Sequence, residues 1–312
     1  MGIRCLNKFL LQKCKKGIQK INLLELSNKH LAVDISIYMY RFKSEGNLIE
    51  GLFQLNILFD KYNITPIYVF DTKNPGIKIN TINARKNNRL NALKEYDTLV
   101  EKTKCNKHDN KDFQRLNKLK RDIVQISRED ILNVKKLFDL QNKIYINATG
   151  EADYLCAKLV KENYAYACMS EDTDLFAYGC PCVLRYFSII NESLVKYDYC
   201  EILNELNIND DEFKTLCIVS TNDYNTSNYN IWMIMNYVEK YNNRDVDNLI
   251  YNLINNTDID IDIKTFYKLY NIFNLNDITI DHNLFTKNNM SKNLDKKELY
   301  TFLSNHNFVI VE

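Results

Sequence analysis

Two short runs of β-branched and aromatic residues, 29–40 (KHLAVDISIYMY) and 64–71 (ITPIYVFD), flank a segment whose apolar positions recur at Leu48, Leu52, Leu55 and Phe59. The runs read as buried strands and the recurrence as one apolar stripe along a helix, which predicts a strand-helix-strand unit. Pro75 and Gly76 then interrupt the chain. Residues 79–141 follow as highly charged helical material whose apolar positions, such as Leu90, Leu93, Leu99, Leu116 and Leu119, are too sparse to bury every helix in a core. The strand pattern resumes in KIYINA (143–148), YAYACMS (164–170) and PCVLRYF (181–187), with a helix beginning near Glu151. Beyond Tyr199 the pattern is helical, broken by a polar stretch at 221–230, and residues 1–24 read as an amphipathic helix carrying Leu6, Phe9 and Leu10. Strands alternating with helices predict an α/β fold: a mainly parallel central sheet flanked by helices, a large helical insertion after the second strand, and an α-helical C-terminal region.

Composition narrows the class without naming a function. The chain has 312 residues, 46% of them hydrophobic, enough to bury a full core in one large domain or a main domain with a helical annex. A formal net charge of +1 does not announce a nucleic-acid binder. Its distribution is uneven, because the stretch from Lys73 to Arg121 holds fourteen Lys or Arg against five Asp or Glu. Nine cysteines without a C-x-x-C pair, the nearest being Cys180 and Cys182, fit buried thiols in a reducing compartment. His30, His108, His282 and His306 lie far apart with no cysteine at zinc-finger spacing, so zinc is not expected. No apolar run approaches the roughly 18 residues needed to span a bilayer, so no membrane partner is expected. Met1-Gly2 followed by Leu6 lacks the Ser or Thr of a myristoylation signal.

Acidic residues close the apolar runs. Asp34 sits in LAVDIS, Asp71 in PIYVFD, Glu151 and Asp153 in TGEADYL, Asp172 and Asp174 in SEDTDLF, and Asp223 in STNDY. A carboxylate at a strand's carboxyl end faces the crevice where open α/β sheets place ligands. Several like charges gathered there need cations, and an all-oxygen set without histidine favours hard ions such as Mg²⁺ or Mn²⁺. Each acid also has an ordinary alternative. Asp34 and Asp71 could cap or pair, Glu151 and Asp153 could complement a helix dipole, Asp172 and Asp174 could solvate a turn, and Asp223 could be a turn former. Glu171 is expected to point elsewhere.

These segments, in their order and with their neighbours, resemble the XPG/flap endonuclease family of structure-specific nucleases. The match spans about residues 1–235 and rests on MGIRCLNKFL, LAVDISIYMYRF, PIYVFDTKNPGIKINTINARKNNR, TGEADYLCAKLVKENYAYACMSEDTDLFAYG and STNDY. The resemblance implies a PIN-like 5′-nuclease fold and divalent-metal hydrolysis of phosphodiester bonds in branched, flap or gapped DNA, in replication, repair or recombination. It also implies two Mg²⁺ ions, or Mn²⁺, held by Asp34, Asp71, Glu151, Asp153, Asp172, Asp174 and Asp223. Lys78 and Arg85 align with the family's gateway-helix positions, where they would stabilise charge on the scissile phosphate, and Arg89 is a weaker member of that set. Residues 73–141 correspond to the arch through which family members pass a single strand. Tyr40 could stack on a base or pack, and Gly2 belongs to the family's Met-Gly-Ile start beside the active centre, which argues against a cleaved leader.

By the same resemblance the chain divides into nuclease parts at 1–72 and 142–198, the arch at 73–141, a helix-hairpin-helix region at 199–240 and a tail at 241–312. Two departures qualify it. The family's glycine-rich hairpin is replaced by DYNTSNYNIW, in which Asn228 and Asn230 could supply left-handed backbone for duplex contact. No Gln follows Gln141, so the Gln-anchored sliding-clamp peptide is not expected. A monomer in a nucleus is expected, and a viral member would suit the composition. A 5′→3′ exonuclease or RNase of the same superfold, or a non-catalytic scaffold for branched DNA, would use the same segments.

Overall fold

A computed structural model describes residues 2–72, 79–105, 110–223, 229–240, 245–256, 262–275, 280 and 295–308. Seven strands form one sheet: β1 (Ile18–Asn22), β2 (His30–Asp34), β3 (Thr65–Phe70), β4 (Ile144–Asn147), β5 (Ala167–Met169), β6 (Cys182–Ser188) and β7 (Ser193–Asp198). Their spatial order is β1-β7-β6-β5-β2-β3-β4. From β6 to β4 neighbouring strands are parallel, and β7 and β1 add antiparallel at one edge, so the sheet is mainly parallel as expected.

Alternation along the central strands feeds two cores. On β3, Ile67 and Val69 face one side while Tyr68 and Phe70 face the other; on β2, Ala32 is opposed by Leu31 and Val33. The first face is covered by α1 (Leu6–Lys13), α7 (Ala152–Lys161), α8 (Asp174–Ala177), α9 (Tyr199–Leu206), α10 (Asp210–Val219), α11 (Ile231–Val238), α12 (Val246–Asn256) and α13 (Ile263–Phe273). The second is covered by α2 (Ile35–Glu45), α3 (Leu48–Lys61), α6 (Arg128–Leu140) and a C-terminal helix, Lys296–Asn305. Burial on both faces explains why the central strands read as continuous apolar runs.

Between β3 and α6 the chain forms two long helices, α4 (Ile79–Cys105) and α5 (Asn110–Ile123). They pair with each other, with an Arg115–Glu95 ion pair at 2.5 Å on their exposed side, while α5 also reaches α2. The chain has only seven glycines, and asparagine takes over part of their work. Asn28, Asn63, Asn142, Asn163, Asn207 and Asn307 all have positive φ within two residues of a helix end, where a left-handed residue terminates the turn.

Three expectations are corrected. The run 29–40 is not one strand, because β2 stops at Asp34 and α2 starts at Ile35. Ile35, Tyr38, Met39 and Phe42 are buried at helical spacing, and the Asp34 carboxylate caps the new helix by accepting the Ser36 N–H at 3.1 Å. Residues 1–24 are not one helix either. After α1 the alternating IQKIN becomes an edge strand whose pairing with β7 only the tertiary fold supplies. The third correction is β7 itself, SLVKYD, which the sequence pattern did not mark as a strand.

Candidate active site

Strands β5, β2, β3 and β4 are consecutive in the sheet, so their carboxyl ends stand side by side, roughly 5 Å from one to the next. Asp34 is the last residue of β2, and Asp71 directly follows β3. Glu151 is the N-cap of α7, which follows β4, and Asp153 lies in that helix's first turn. Asp172 and Asp174 follow β5, with Asp174 opening α8. The row therefore carries six acids, all buried except Asp71.

Hydrogen bonds from serine hydroxyls and backbone N–H groups hold the acids in place. Asp34 Oδ2 accepts from Ser170 Oγ at 3.2 Å, which joins the ends of β2 and β5. Asp71 Oδ2 accepts from Ser36 Oγ at 2.7 Å and its Oδ1 from the Ala152 N–H at 2.6 Å, so Asp71 bridges the first turns of α2 and α7. A carboxylate at a helix N-terminus is favoured by the exposed N–H groups and the dipole. Asp172 Oδ1 accepts the Asp174 N–H at 3.0 Å, and the Asp172 N–H donates to Ser170 Oγ at 3.2 Å. Among the described residues, no three Asp, Glu, His or Cys side chains close onto one ion-sized position.

Crowding has an electrostatic signature. Burial above all, and then the neighbouring charges of Asp71 and Asp172, push the Asp34 carboxyl up to about 8, against smaller opposing effects of its bonds from Ser170 and Ser36.

The N-terminal segment closes one side of the row. Gly2 has φ +82°, and a Cβ there would overlap Asp172 Oδ1 and Thr173 Oγ1 and stand 2.8 Å from Asp174 Oδ1. Only glycine fits that approach. The Ile3 N–H donates to Thr173 Oγ1 at 2.8 Å, and the Arg4 N–H to the Thr221 carbonyl at 2.9 Å. Asp223 lies two residues past Thr221 in the half-buried loop after α10, so residues 2–4 tie that loop to the Asp172 loop.

Tyr40 lies in α2 one turn beyond Ser36 and is 47% exposed. Arg89 is half-buried in α4. The backbone of Arg85 is in α4, but its side chain, like Lys78 and Asn228, lies outside the described residues. Asn230 is corrected: its backbone is extended (φ −94°, ψ 164°) rather than left-handed, because its side chain caps α11 by accepting from the N–H groups of Trp232 and Met233. Glu171 does turn away from the row, to Arg185 and Tyr186. Sequence reasoning passed over Ser36, Ser170 and Thr173. The Asp-x-Ser spacing of Asp34 and Ser36 was the available signal, being a capping pattern at a strand-to-helix junction.

Residues 1–92 match the XPG N-terminal domain and residues 143–223 the XPG I-region. Flap endonuclease 1 of Encephalitozoon cuniculi (strain GB-M1) is 30% identical over 241 residues, covering 72% of this chain and 68% of that protein. The probable RAD2-like endonuclease 369L of Invertebrate iridescent virus 6 is 29% identical over 293 residues, covering 76% and 70%. The chain spans 58–72% of the length of the flap endonuclease 1 relatives it matches. Among solved structures, the catalytic core of Rad2 in complex with DNA substrate has the same fold, with a TM-score of 0.64 at 20% identity over 98% of this chain and 95% of that one. Two family domains on the sheet that carries the acids, and a relative matched over two thirds of its length, place this chain in the XPG/flap endonuclease family of nucleases.

Proposed function

We propose that this protein is a divalent-metal-dependent, structure-specific 5′ nuclease acting on branched, flap or gapped DNA. The observation that carries the proposal is the row of acids at four adjacent strand ends, in which Asp34 is held well above the ordinary carboxylate range by burial and by Asp71 and Asp172. Such a row is a poor salt-bridge partner and a good hard-cation site. The donor set fits Mg²⁺ or Mn²⁺: it is all oxygen, it sits where α/β sheets bind ligands, and its charges repel. Mg²⁺ keeps several waters, so acids beyond its direct reach would act through those waters.

Asp34, Asp71, Glu151, Asp153, Asp172, Asp174 and Asp223 would hold two such ions, directly or through water. Bound there, the ions would supply an activated water and counter-charge for the phosphodiester's non-bridging and leaving oxygens. The protein's own part is orientation. Ser36 and the Ala152 N–H fix Asp71, Ser170 fixes Asp34, and Asp172 is held by the Asp174 N–H. Lys78 and Arg85 would meet the scissile phosphate and Arg89 a neighbouring one. Gly2 lets the backbone close the site without a side chain, and Tyr40 would offer an exposed ring to an unpaired base. The functional division proposed is a nuclease body built from 1–72 and 142–198, an arch within 73–141, and duplex contacts from 199–240. Such a protein would act as a monomer wherever branched DNA is processed, a nucleus first of all. No described helix is long and apolar enough to cross a membrane.

The test is a panel of 5′-labelled flap, nicked, gapped, blunt and RNA-containing substrates with and without Mg²⁺, run on the parent protein and on Asp71→Ala and Asp172→Ala. Flap cleavage that needs Mg²⁺ and disappears in both variants, with DNA binding retained, supports the reading. Undiminished cleavage by either purified variant would sink it, and preference for blunt ends or RNA would move the protein to the exonuclease or RNase reading.

A further inference from the structure

The acid row is held from one side by an arginine that no catalytic assignment includes. Arg185 lies on β6 opposite the start of the 170–174 loop, since Met169 pairs with Leu184, and it is 5% exposed. A guanidinium so buried needs partners for its donors. Its Nη2 donates to the Glu171 carbonyl at 2.8 Å and its Nη1 to Asn7 Oδ1 at 2.7 Å, while its Nε, 3.4 Å from Glu171 Oε2, forms an ion pair but no hydrogen bond. The rings of Tyr186 and Tyr197 lie on it, with centroids 5.3 and 5.7 Å from Cζ.

The surroundings are shaped for the same grip. Between Arg185 and Ser188 the β6–β7 pairing slips, and Tyr186 adopts φ +57°, an unfavourable conformation for a tyrosine. There its N–H leaves the ladder and donates to Glu171 Oε1 at 2.5 Å. Glu171 is therefore held by hydrogen bonds to its carbonyl and Oε1, with Oε2 in the ion pair to Arg185, one residue before Asp172. Asn7, which also accepts from Tyr197 Oη at 2.8 Å and donates to Tyr186 Oη, carries the network into α1. The segment just ahead of α1 supplies the Ile3 N–H to Thr173. The loop bearing Asp172 and Asp174 is thus anchored at Glu171 from β6 and at Thr173 from the N-terminal segment.

We infer that Arg185 is a positioning residue for metal binding: its fork on Glu171 sets the height at which Asp172 and Asp174 are presented to the divalent cations. The inference rests on the metal-dependent reading above. Lysine cannot reproduce the fork, because one ammonium cannot reach the Glu171 carbonyl, the Glu171 carboxylate and Asn7 with the same geometry.

The experiment compares the parent with Arg185→Lys, Arg185→Ala and Glu171→Gln. Mn²⁺ binding is read by electron paramagnetic resonance titration without DNA, alongside melting temperature, DNA affinity in Ca²⁺, and single-turnover cleavage against Mg²⁺ concentration. The expected result for Arg185→Lys is a weakening of Mn²⁺ binding of about tenfold, within the range typical for outer-shell partners. Its cleavage should need correspondingly more Mg²⁺ and recover as Mg²⁺ is raised, while DNA affinity stays within twofold of the parent. Glu171→Gln, which keeps the carbonyl bond, should show a smaller loss of the same kind. If Arg185→Ala fails to fold, the other two variants decide the matter. Mn²⁺ binding within twofold of the parent in a folded Arg185→Lys overturns the positioning role alone. A parent protein that binds no Mn²⁺ overturns the metal reading and this inference together.

Discussion

The Gly2 backbone lies against the Asp172 carboxylate with no room between them for a Cβ. Any other residue at position 2 must also adopt φ +82°, which L side chains rarely do. Gly2→Ala should therefore displace either the N-terminal segment or the acid, and single-turnover cleavage should fall at least about tenfold, the effect of a displacement on the ångström scale at a reacting centre. The melting temperature should change little, because residue 2 contributes little to either core. A parent-like cleavage rate would show that the segment yields freely.

Ser36 is the hinge between two of the acids, giving its N–H to Asp34 and its hydroxyl to Asp71. Ser36→Ala keeps the first bond and removes the second. Apparent Mg²⁺ affinity should drop by about ten- to a hundredfold, with Ser36→Thr restoring part of it. Mg²⁺ dependence of cleavage for the three proteins measures this directly.

Metal-free stability should fall as pH rises. The Asp34 carboxyl titrates near 4 when unfolded and near 8 when folded, so between those values the unfolded chain binds fewer protons and stability declines with pH. Below about pH 4 both states are protonated and the stability is fully present. Thermal melts in EDTA at pH 5 and pH 8 should show the lower transition at pH 8. Asp34→Asn should flatten the dependence and raise the pH 8 transition, whereas a melt independent of pH would contradict the crowding of Asp34, Asp71 and Asp172.

On the face of the sheet covered by α3 and α6, Tyr68 on β3 stacks on Phe138 of α6 with centroids 4.1 Å apart and donates to Asn56 Oδ1 at 2.5 Å. Asn56 is fully buried and in turn donates to Gln141 at 2.6 Å. Tyr68→Phe leaves the stack and strands an acceptor, which costs about 1–3 kcal/mol. Phe138→Ala opens a cavity instead and should cost about 3–5 kcal/mol. Urea denaturation distinguishes the two, and neither variant should change Mn²⁺ binding while folded.

Legibility followed the range of the forces involved. The central strands and their terminal acids were readable because burial on both faces enforces unbroken apolar runs, which makes a charge at the end conspicuous. Glu151 and Asp153 were less so, since acids at a helix start occur everywhere and only the neighbouring strands give these two company. The antiparallel strands β1 and β7 escaped because half-exposed strands carry a mixed pattern that pairing alone completes. The join at Asp34 was read as continuous strand because Ile35, Ile37, Tyr38 and Tyr40 prolong the β-branched and aromatic composition of β2, although the chain turns helical there under the cap on Ser36. Asn230 was misread because asparagine serves equally as a left-handed residue and as a helix cap.

By itself the sequence determined the class of fold, the order of its elements and the residue types that close the strands, because each of these follows from local patterns of apolarity and charge. The tertiary structure decided which strands are neighbours, and with that which acids share a field. It also placed Gly2 against Asp172 and buried Arg185 beneath Glu171, contacts between residues some 170 and 14 positions apart that no local pattern encodes.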